Sequence, residues 1–503
     1  MARRRRAECN NRTHLESSNL QIIRKTLDGG RRRVYHGGMR MGIFLLMSAM
    51  AAASVVGAQE PVAASAAPSA STVASAVSPA VAELLARMEK ENSQDFYAVM
   101  EALLAEMPLD KVPEAMQKAA EAGSPAAVWW LSRWDMPRLA SIGADRQTHP
   151  LAVQHRAAMQ KAALTGYLPA RLEYMRMVGG GVGAAADEKR AMGLLMDICA
   201  TGDARARAEY LLLSGRLEKA DALDAPEITS ELKKKNAYLE ELIGTLYGRE
   251  PQAQQWLQEA TEHGSAEAPR LLAAFFAESL GEQRFQELMQ LAAERHSPSA
   301  VAFQGIIRTV LRDGSLNTED EKARRQLEIA LLLGAVEGVA PLSMHYIGHP
   351  EQYFPDRLLA LSRIGMEMGN EVAAVNYAYC MACGYGCKAE PERAIALLEG
   401  LAEAGVGAAH VALASVFYNG RQGKADLRRA VDELGQGASL GMSHMYSTMA
   451  ALTAMGNAVT KPDAGRAAAL LKMAKEQEGE LEAQTAYDSI MEAKTWGYFS
   501  PTL

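Results

Sequence analysis

Aromatic residues, strand-like periodicity and long apolar stretches are all scarce in this sequence. Its 503 residues include only 9 Phe and 5 Trp. Runs of Val, Ile and Thr at period two are nearly absent, so no sheet is expected. Familiar catalytic signatures are missing as well. There is no His-Glu-x-x-His, no Ser/His/Asp set and no paired-carboxylate context. The glycine run Gly179–Gly183 lacks the Lys-Ser/Thr of a phosphate loop and follows a helical pattern, not a strand. We therefore expect no catalytic residue, no cofactor and no metal site. What is abundant is Ala, Leu, Met, Glu and Lys, the strong helix formers. A chain of this length exceeds one ordinary core, so it must be several domains or a solenoid that grows by adding units.

Charge is unevenly distributed. Residues 1–58 hold ten Arg and one Lys against two Glu and one Asp, whereas the remainder holds 42 basic and 57 acidic residues. An acidic body is repelled by phosphate backbones, so nucleic-acid binding is disfavoured. The basic N-terminal residues have another explanation. Arg40 precedes an apolar run from Gly42 to Val56, which closes on Val56-Gly57-Ala58 before the polar Gln59-Glu60. This three-part pattern is that of a secretory signal, and the run is short of the ~20 apolar residues of a membrane span. We expect residues 1–58 to be an N-terminal extension plus signal peptide, with the signal core at about 39–58 and cleavage near Ala58. The chain would then be exported, to the periplasm or beyond, and would meet the membrane only through that signal. Residues 59–79, rich in Ala, Ser and Pro, read as a flexible linker.

Helical patterning starts near Pro79 and recurs. An apolar helix ends in a glycine turn, and an Ala-rich helix follows. The turn residues are Gly123, Gly166, Gly202, Gly264, Gly338, Gly369, Gly405 and Gly441, with Ser297 in a slot that lacks Gly. The spacing is 36 residues from Gly166 to Gly202, from Gly369 to Gly405 and from Gly405 to Gly441. Glycine accepts the left-handed backbone that ends a helix. Each unit of two short helices is too small to bury its own apolar stripe and must stack on its neighbours. Residues 80–503 are therefore expected to form an all-α, right-handed α-α superhelical solenoid, with its clearest repeats at 166–202, 370–405, 406–441 and 442–476.

Within these units one motif recurs: Gly-x-Gly, an acidic residue, then Ala, then a closing Gly. Gly384, Gly386, Glu390, Ala394 and Gly405 carry it in one unit, and Gly179, Gly181, Asp187, Ala191 and Gly202 in another. Gly420, Asp426, Ala430 and Gly441 carry it in a third, which has an extra residue between its loop glycines. The pattern resembles the Sel-like repeat family, relatives of the tetratricopeptide repeats. The resemblance implies a non-catalytic scaffold or adaptor that binds a partner protein or peptide on a curved helical surface.

Three constellations remain. Cys380, Cys383 and Cys387 form C-x2-C-x3-C. Zinc normally takes four ligands, and no further Cys or His lies close in sequence. We expect a structural disulfide from Cys387 to one of the other two, with free buried thiols as the alternative; Cys199 is expected in a core. His345 and His349 are four apart, but Gly348 and Pro350 interrupt a helix there, which favours a packing role. Trp129, Trp130 and Trp134 cluster and could form a platform for a sugar or peptide, or simply fill a core. The alternative to a protein scaffold is thus a glycan- or peptidoglycan-binding module, or an enzyme accessory protein, of the cell envelope.

Overall fold

The computed structural model describes residues 73–141, 147–214, 222–311 and 315–499. The expected leader, and the linker up to residue 72, lie outside them. No strand occurs among the described residues; the sole pairing is an isolated bridge between Val310 and Leu316. The described helices fall into two compact units, divided between Gly338 and Val339.

The first unit contains α1 (Pro79–Glu91), α2 (Tyr97–Glu106), α3 (Val112–Glu121), α4 (Pro125–Ser141), α5 (Pro150–Leu164), α6 (Leu168–Gly180) and α7 (Glu188–Cys199). It continues with α8 (Ala204–Leu213), α9 (Pro226–Lys233), α10 (Ala237–Tyr247), α11 (Pro251–Glu262), α12 (Ala268–Glu294), α13 (Pro298–Thr309) and α14 (Glu321–Leu332). Non-helical backbone at Phe276 and Gly281 breaks α12 into the two members of a pair. The second unit contains α15 (Val339–Gly348), the short α16 (Pro350–Tyr353), α17 (Asp356–Glu367), α18 (Glu371–Cys383) and α19 (Pro391–Glu403). It ends with α20 (Gly407–Tyr418), α21 (Leu427–Ser439), α22 (Met445–Met455), α23 (Ala464–Glu478) and α24 (Glu480–Ala493).

Consecutive helices pack in pairs, and the two members of a pair differ in kind. In the second unit the first helices α18, α20 and α22 are buried nearly all round. In α20 the buried residues are Ala409 and every position from Val411 to Phe417. Second helices bury one stripe, as α19 does with Ala394 and Leu398 and α21 with Leu427, Ala430, Val431, Leu434 and Gly437. A helix buried all round is an inner element, and a helix with one apolar stripe faces solvent on its other side. Each leucine so buried contributes about 1.5–3 kcal/mol.

Pairs are joined by one repeated turn. A residue with positive φ ends the second helix, and the next backbone N–H bonds back five residues. Asn370 N–H donates to Gly365 O at 2.9 Å, Val406 to Leu401 O at 3.0 Å, Met442 to Gly437 O at 3.1 Å and Ser265 to Ala260 O at 2.9 Å. These are Schellman closures. They explain the 36-residue glycines, and they also correct the glycine count. Gly334, with φ 102°, holds the slot assigned to Gly338, which lies buried in a 3-10 turn. His296 and Lys235 take positive φ without being glycine, as does Asn92. Lys235 divides the span between Gly202 and Gly264, where the turn is made by a residue other than glycine.

The first unit also makes contacts that a simple stack does not. The loop after α1 reaches α6 and α8: Asn92 Oδ1 accepts from Leu168 N at 2.8 Å, and Arg205 donates to Asn92 O at 3.1 Å. The same end of the chain reaches α13 and α14. His296 pairs with Asp95 at 2.7 Å and stacks on Tyr97, and Arg325 donates to Leu104 O at 2.7 Å. Within this unit, early helices therefore pack on helices far later in sequence, where an ideal solenoid pairs neighbours alone.

Candidate functional site

The motif residues are best understood in α18–α21. Gly384 ends α18 in the left-handed region with φ 73°, Tyr385 N–H donates back to Cys380 O at 2.9 Å, and Glu390 N–H donates to Met381 O at 2.9 Å. Gly420 and Asp426 repeat this exactly spaced pattern: Arg421 N–H to Val416 O at 3.0 Å, and Asp426 N–H to Phe417 O at 2.8 Å. The acidic residue is the N-cap of the second helix. Asp426 accepts from Arg429 N at 3.0 Å and Asp187 from Arg190 N at 2.9 Å. Glu390 stands at the same place without a side-chain cap bond and pairs with Arg393 at 3.2 Å instead. Its longer side chain overshoots the amide a cap must reach. Ala191, Ala394 and Ala430, four residues on, are buried.

The register of the 166–202 unit changes by two. Gly181 and Gly183 have positive φ and take the places of Gly384 and Gly386, whereas Gly179 is a buried residue inside α6. A Cβ on Gly181 would stand 3.1 Å from Ala186 N, and one on Gly183 would stand 2.4 Å from Ala152 O. Close approach of the loop to α5 is what requires glycine there.

The cysteines do not form the expected bridge. Cys199, Cys380, Cys383 and Cys387 are all free. Cys380 is fully buried on the inner face of α18, and burial pushes its thiol well above the usual range. Cys387 hangs in the loop with Sγ 3.9 Å from Cys380 O. Burial also raises the Cys383 thiol, against the opposing influence of hydrogen bonding to Tyr379. Thiols so raised are poor thiolates and poor nucleophiles. No cluster of His, Cys, Asp and Glu suited to a metal occurs among the described residues. His345 is buried, and its carbonyl lies 3.1 Å from His349 Nδ1.

Trp129 and Trp130 lie in the first unit's interior. Trp129 stacks on Phe96 at 5.6 Å, and Trp130 stacks on Trp134 at 5.0 Å while its Nε1 donates to Leu332 O at 3.0 Å. Trp129 and Trp130 retain 6% and 4% of their surface, leaving no face of either ring for a ligand to stack on. Only Trp134 is partly exposed.

A site that spacing did not reveal lies in the second unit. After α24, Lys494 takes a left-handed backbone and the chain turns back as an irregular segment, 495–497, that ends in a turn at Tyr498 and Phe499. This segment crosses the inner helices α20 and α18. Asn419 Nδ2 donates to Trp496 O at 3.1 Å, and Tyr498 N–H donates to Ser415 Oγ at 3.1 Å. Ser415 Oγ in turn lies 2.8 Å from Tyr379 OH. Trp496 packs edge-on to Tyr418 at 6.1 Å, and Phe499 packs on Tyr379 at 5.0 Å, Tyr385 at 6.4 Å and Phe354 at 6.4 Å. Burial raises the hydroxyls of Tyr379 and Tyr498 well above their ordinary value. The only sequence signal for this groove was a polar Ser415 within the apolar run Val411–Tyr418 of α20, with Asn419 directly after that helix.

No protein-family model and no curated protein matches the chain. Solved structures similar to it include the following two. One is a protective antigen of uropathogenic Escherichia coli strains displaying an SLR fold, 18% identical, with a TM-score of 0.42 and coverage of 83% of this chain and 91% of that one. The other is a Sel1 repeat protein from Oxalobacter formigenes, 21% identical, with a TM-score of 0.26 and coverage of 55% of this chain and 98% of that one. What defines the chain is its own recurring geometry: a Schellman turn, an inner helix, a glycine loop and an acid-capped outer helix. The repeat units described in this protein are helix pairs of that geometry.

Proposed function

We propose that this protein is a non-catalytic, exported scaffold that binds an extended segment of a partner protein across the inner helices of its repeats. One observation carries this reading: the inner face of α18 and α20 already holds a non-helical stretch of polypeptide, residues 495–499. Ser415 and Asn419 hold its main chain and a ring of aromatic side chains holds its side chains. Main-chain bonds with alternate side-chain pockets are a general way to hold an extended peptide. Export rests on the signal-like residues 39–58 alone. With Trp129 and Trp130 buried, no observation favours a glycan platform.

Two measurements test the proposal. Mass spectrometry of the protein recovered from its own cells should find a mature chain beginning at Gln59; an intact N-terminus in the cytosol would end the export part. A photo-crosslinker at position 421, beside the groove on the loop after α20, should join the protein to a defined partner in those cells. Crosslinks at that position no more frequent than at a control site on the solvent face of α19 would end the scaffold part.

A further inference from the structure

We infer that segment 495–499 is an internal occupant of a peptide-receiving groove, and that the partner is a short peptide presenting aromatic side chains in the same spacing, which competes for it. The inference rests on the scaffold reading above and names the chemistry of its partner.

The path of the segment is the first argument. A segment that merely covers the exposed side of the helix pair before it would lie against α22 and α23. This one runs backward instead, from Trp496 beside Tyr418 on α20 to Phe499 beside Tyr379 on α18, Tyr385 in the loop and Phe354 before α17. It therefore crosses two repeats against the order in which they are built, as a bound peptide would.

The second argument is how it is held. Ser415 and Asn419 are one helical turn apart, and both address the main chain, at Tyr498 N–H and Trp496 C=O. Such contacts are indifferent to side-chain identity and suit any segment that follows the same backbone path. Selectivity then falls to the aromatic surroundings. Gly497, between the two aromatic positions, lies close to helix: a Cβ there would stand 3.4 Å from Tyr379 OH and 3.7 Å from Ser415 Oγ. The fitting pattern is aromatic, small, aromatic, aromatic.

The third argument is that the occupant is imperfect. Trp496 is 3% exposed, yet its Nε1 has no hydrogen-bond partner. A buried unpaired donor weakens its own segment. A competing peptide with Phe at that position keeps the ring contact without the orphaned donor, so it can displace a tethered segment despite the high local concentration of the latter.

The test uses a fluorescein-labelled peptide copying residues 494–499 and the same peptide with Phe in place of Trp. The full chain carrying W496A, Y498A and F499A has an open groove. It should bind both peptides, the Phe peptide several-fold tighter, while the unchanged chain binds each at least tenfold more weakly. Adding Asn419→Ala to the open variant should weaken binding at least tenfold. Circular dichroism and the melting transition establish that each variant is folded. As an independent readout, alkylation of Cys380 should be slow in the unchanged chain, fast in the open variant, and slow again when peptide is added. A folded open variant that ignores both peptides would overturn the inference, as would equal binding by the unchanged chain. Should that variant still crosslink a partner from position 421, the scaffold reading stands and only the partner's chemistry is wrong; should it crosslink nothing, both fall. A concentration-dependent dimer of the unchanged chain that the triple variant abolishes would show the groove filled by a second copy, and would also overturn it.

Discussion

Asp426 and Glu390 occupy the same structural position one repeat apart, yet only one of them caps its helix. Asp426 reaches the Arg429 amide, while Glu390, longer by a methylene, pairs with Arg393. Asp426→Ala should destabilise the second unit by about 1 kcal/mol, and Glu390→Asp should stabilise it by about 0.5 kcal/mol or more. Urea denaturation followed by helical ellipticity checks both; a neutral Asp426→Ala would show that the cap is incidental. Lys235 makes the complementary case for the turns. It adopts φ 56°, where Gly stands in most units. Lys235→Gly should relieve roughly 1 kcal/mol of left-handed strain, partly offset by the greater freedom glycine gives the unfolded chain. A melting temperature that falls on this substitution would contradict the argument. At this scale the sequence was readable where glycine or aspartate did the work. It was misleading where a lysine or histidine was forced into a glycine's conformation, because a side chain's preference is weak beside the packing of two helices.

Among elements, the inner and outer helices respond to different changes. The outer stripe tolerates exposed substitutions, but Leu434 is fully buried on α21, and Leu434→Ala should cost about 2–5 kcal/mol as a cavity opens. The free thiols make a second prediction. A structural bridge through Cys387 would make reduction destabilising, whereas free thiols leave the urea midpoint of the second unit the same with and without reductant. A shift of the midpoint on reduction would restore the disulfide. The charge on α10 adds a pH dependence. Burial, partly countered by a 2.5 Å hydrogen bond from Ser265 Oγ, raises the Glu241 carboxyl above its ordinary 4.5. A folded-state value above the unfolded one means that its favourable contribution is complete below pH 4.5 and is lost as pH rises through the raised value. Glu241→Gln should therefore match the unchanged protein near pH 4 and exceed it in stability at neutral pH. Equal stability at both values would show that the carboxyl is not strained. Burial of this kind follows from which helices meet, which is why neither Glu241 nor the thiols could be judged from spacing.

Across the molecule, local pattern and long-range packing divided the outcome. Helix content, the pairing of helices and the recurring turn were already present in composition and in the 36-residue glycines, since each depends on residues within one or two repeats. The closing contacts of the first unit were not, because Trp130 meets Leu332 across 202 positions and Arg325 meets Leu104 across 221. No periodicity encodes which distant helices meet. The same holds for the groove. Ser415 and Asn419 come from the end of α20, Tyr379 from α18, and Trp496 and Phe499 from the segment after α24, so no one spacing joins them. The sequence alone determined that short amphipathic helices would form and stack, because capping, turn geometry and the need to hide a narrow apolar stripe are all local. Only tertiary structure decided that the segment 495–499 would lie across the inner helices, since that depends on where the chain emerges after α24 and on which polar atoms the stacked helices leave facing it.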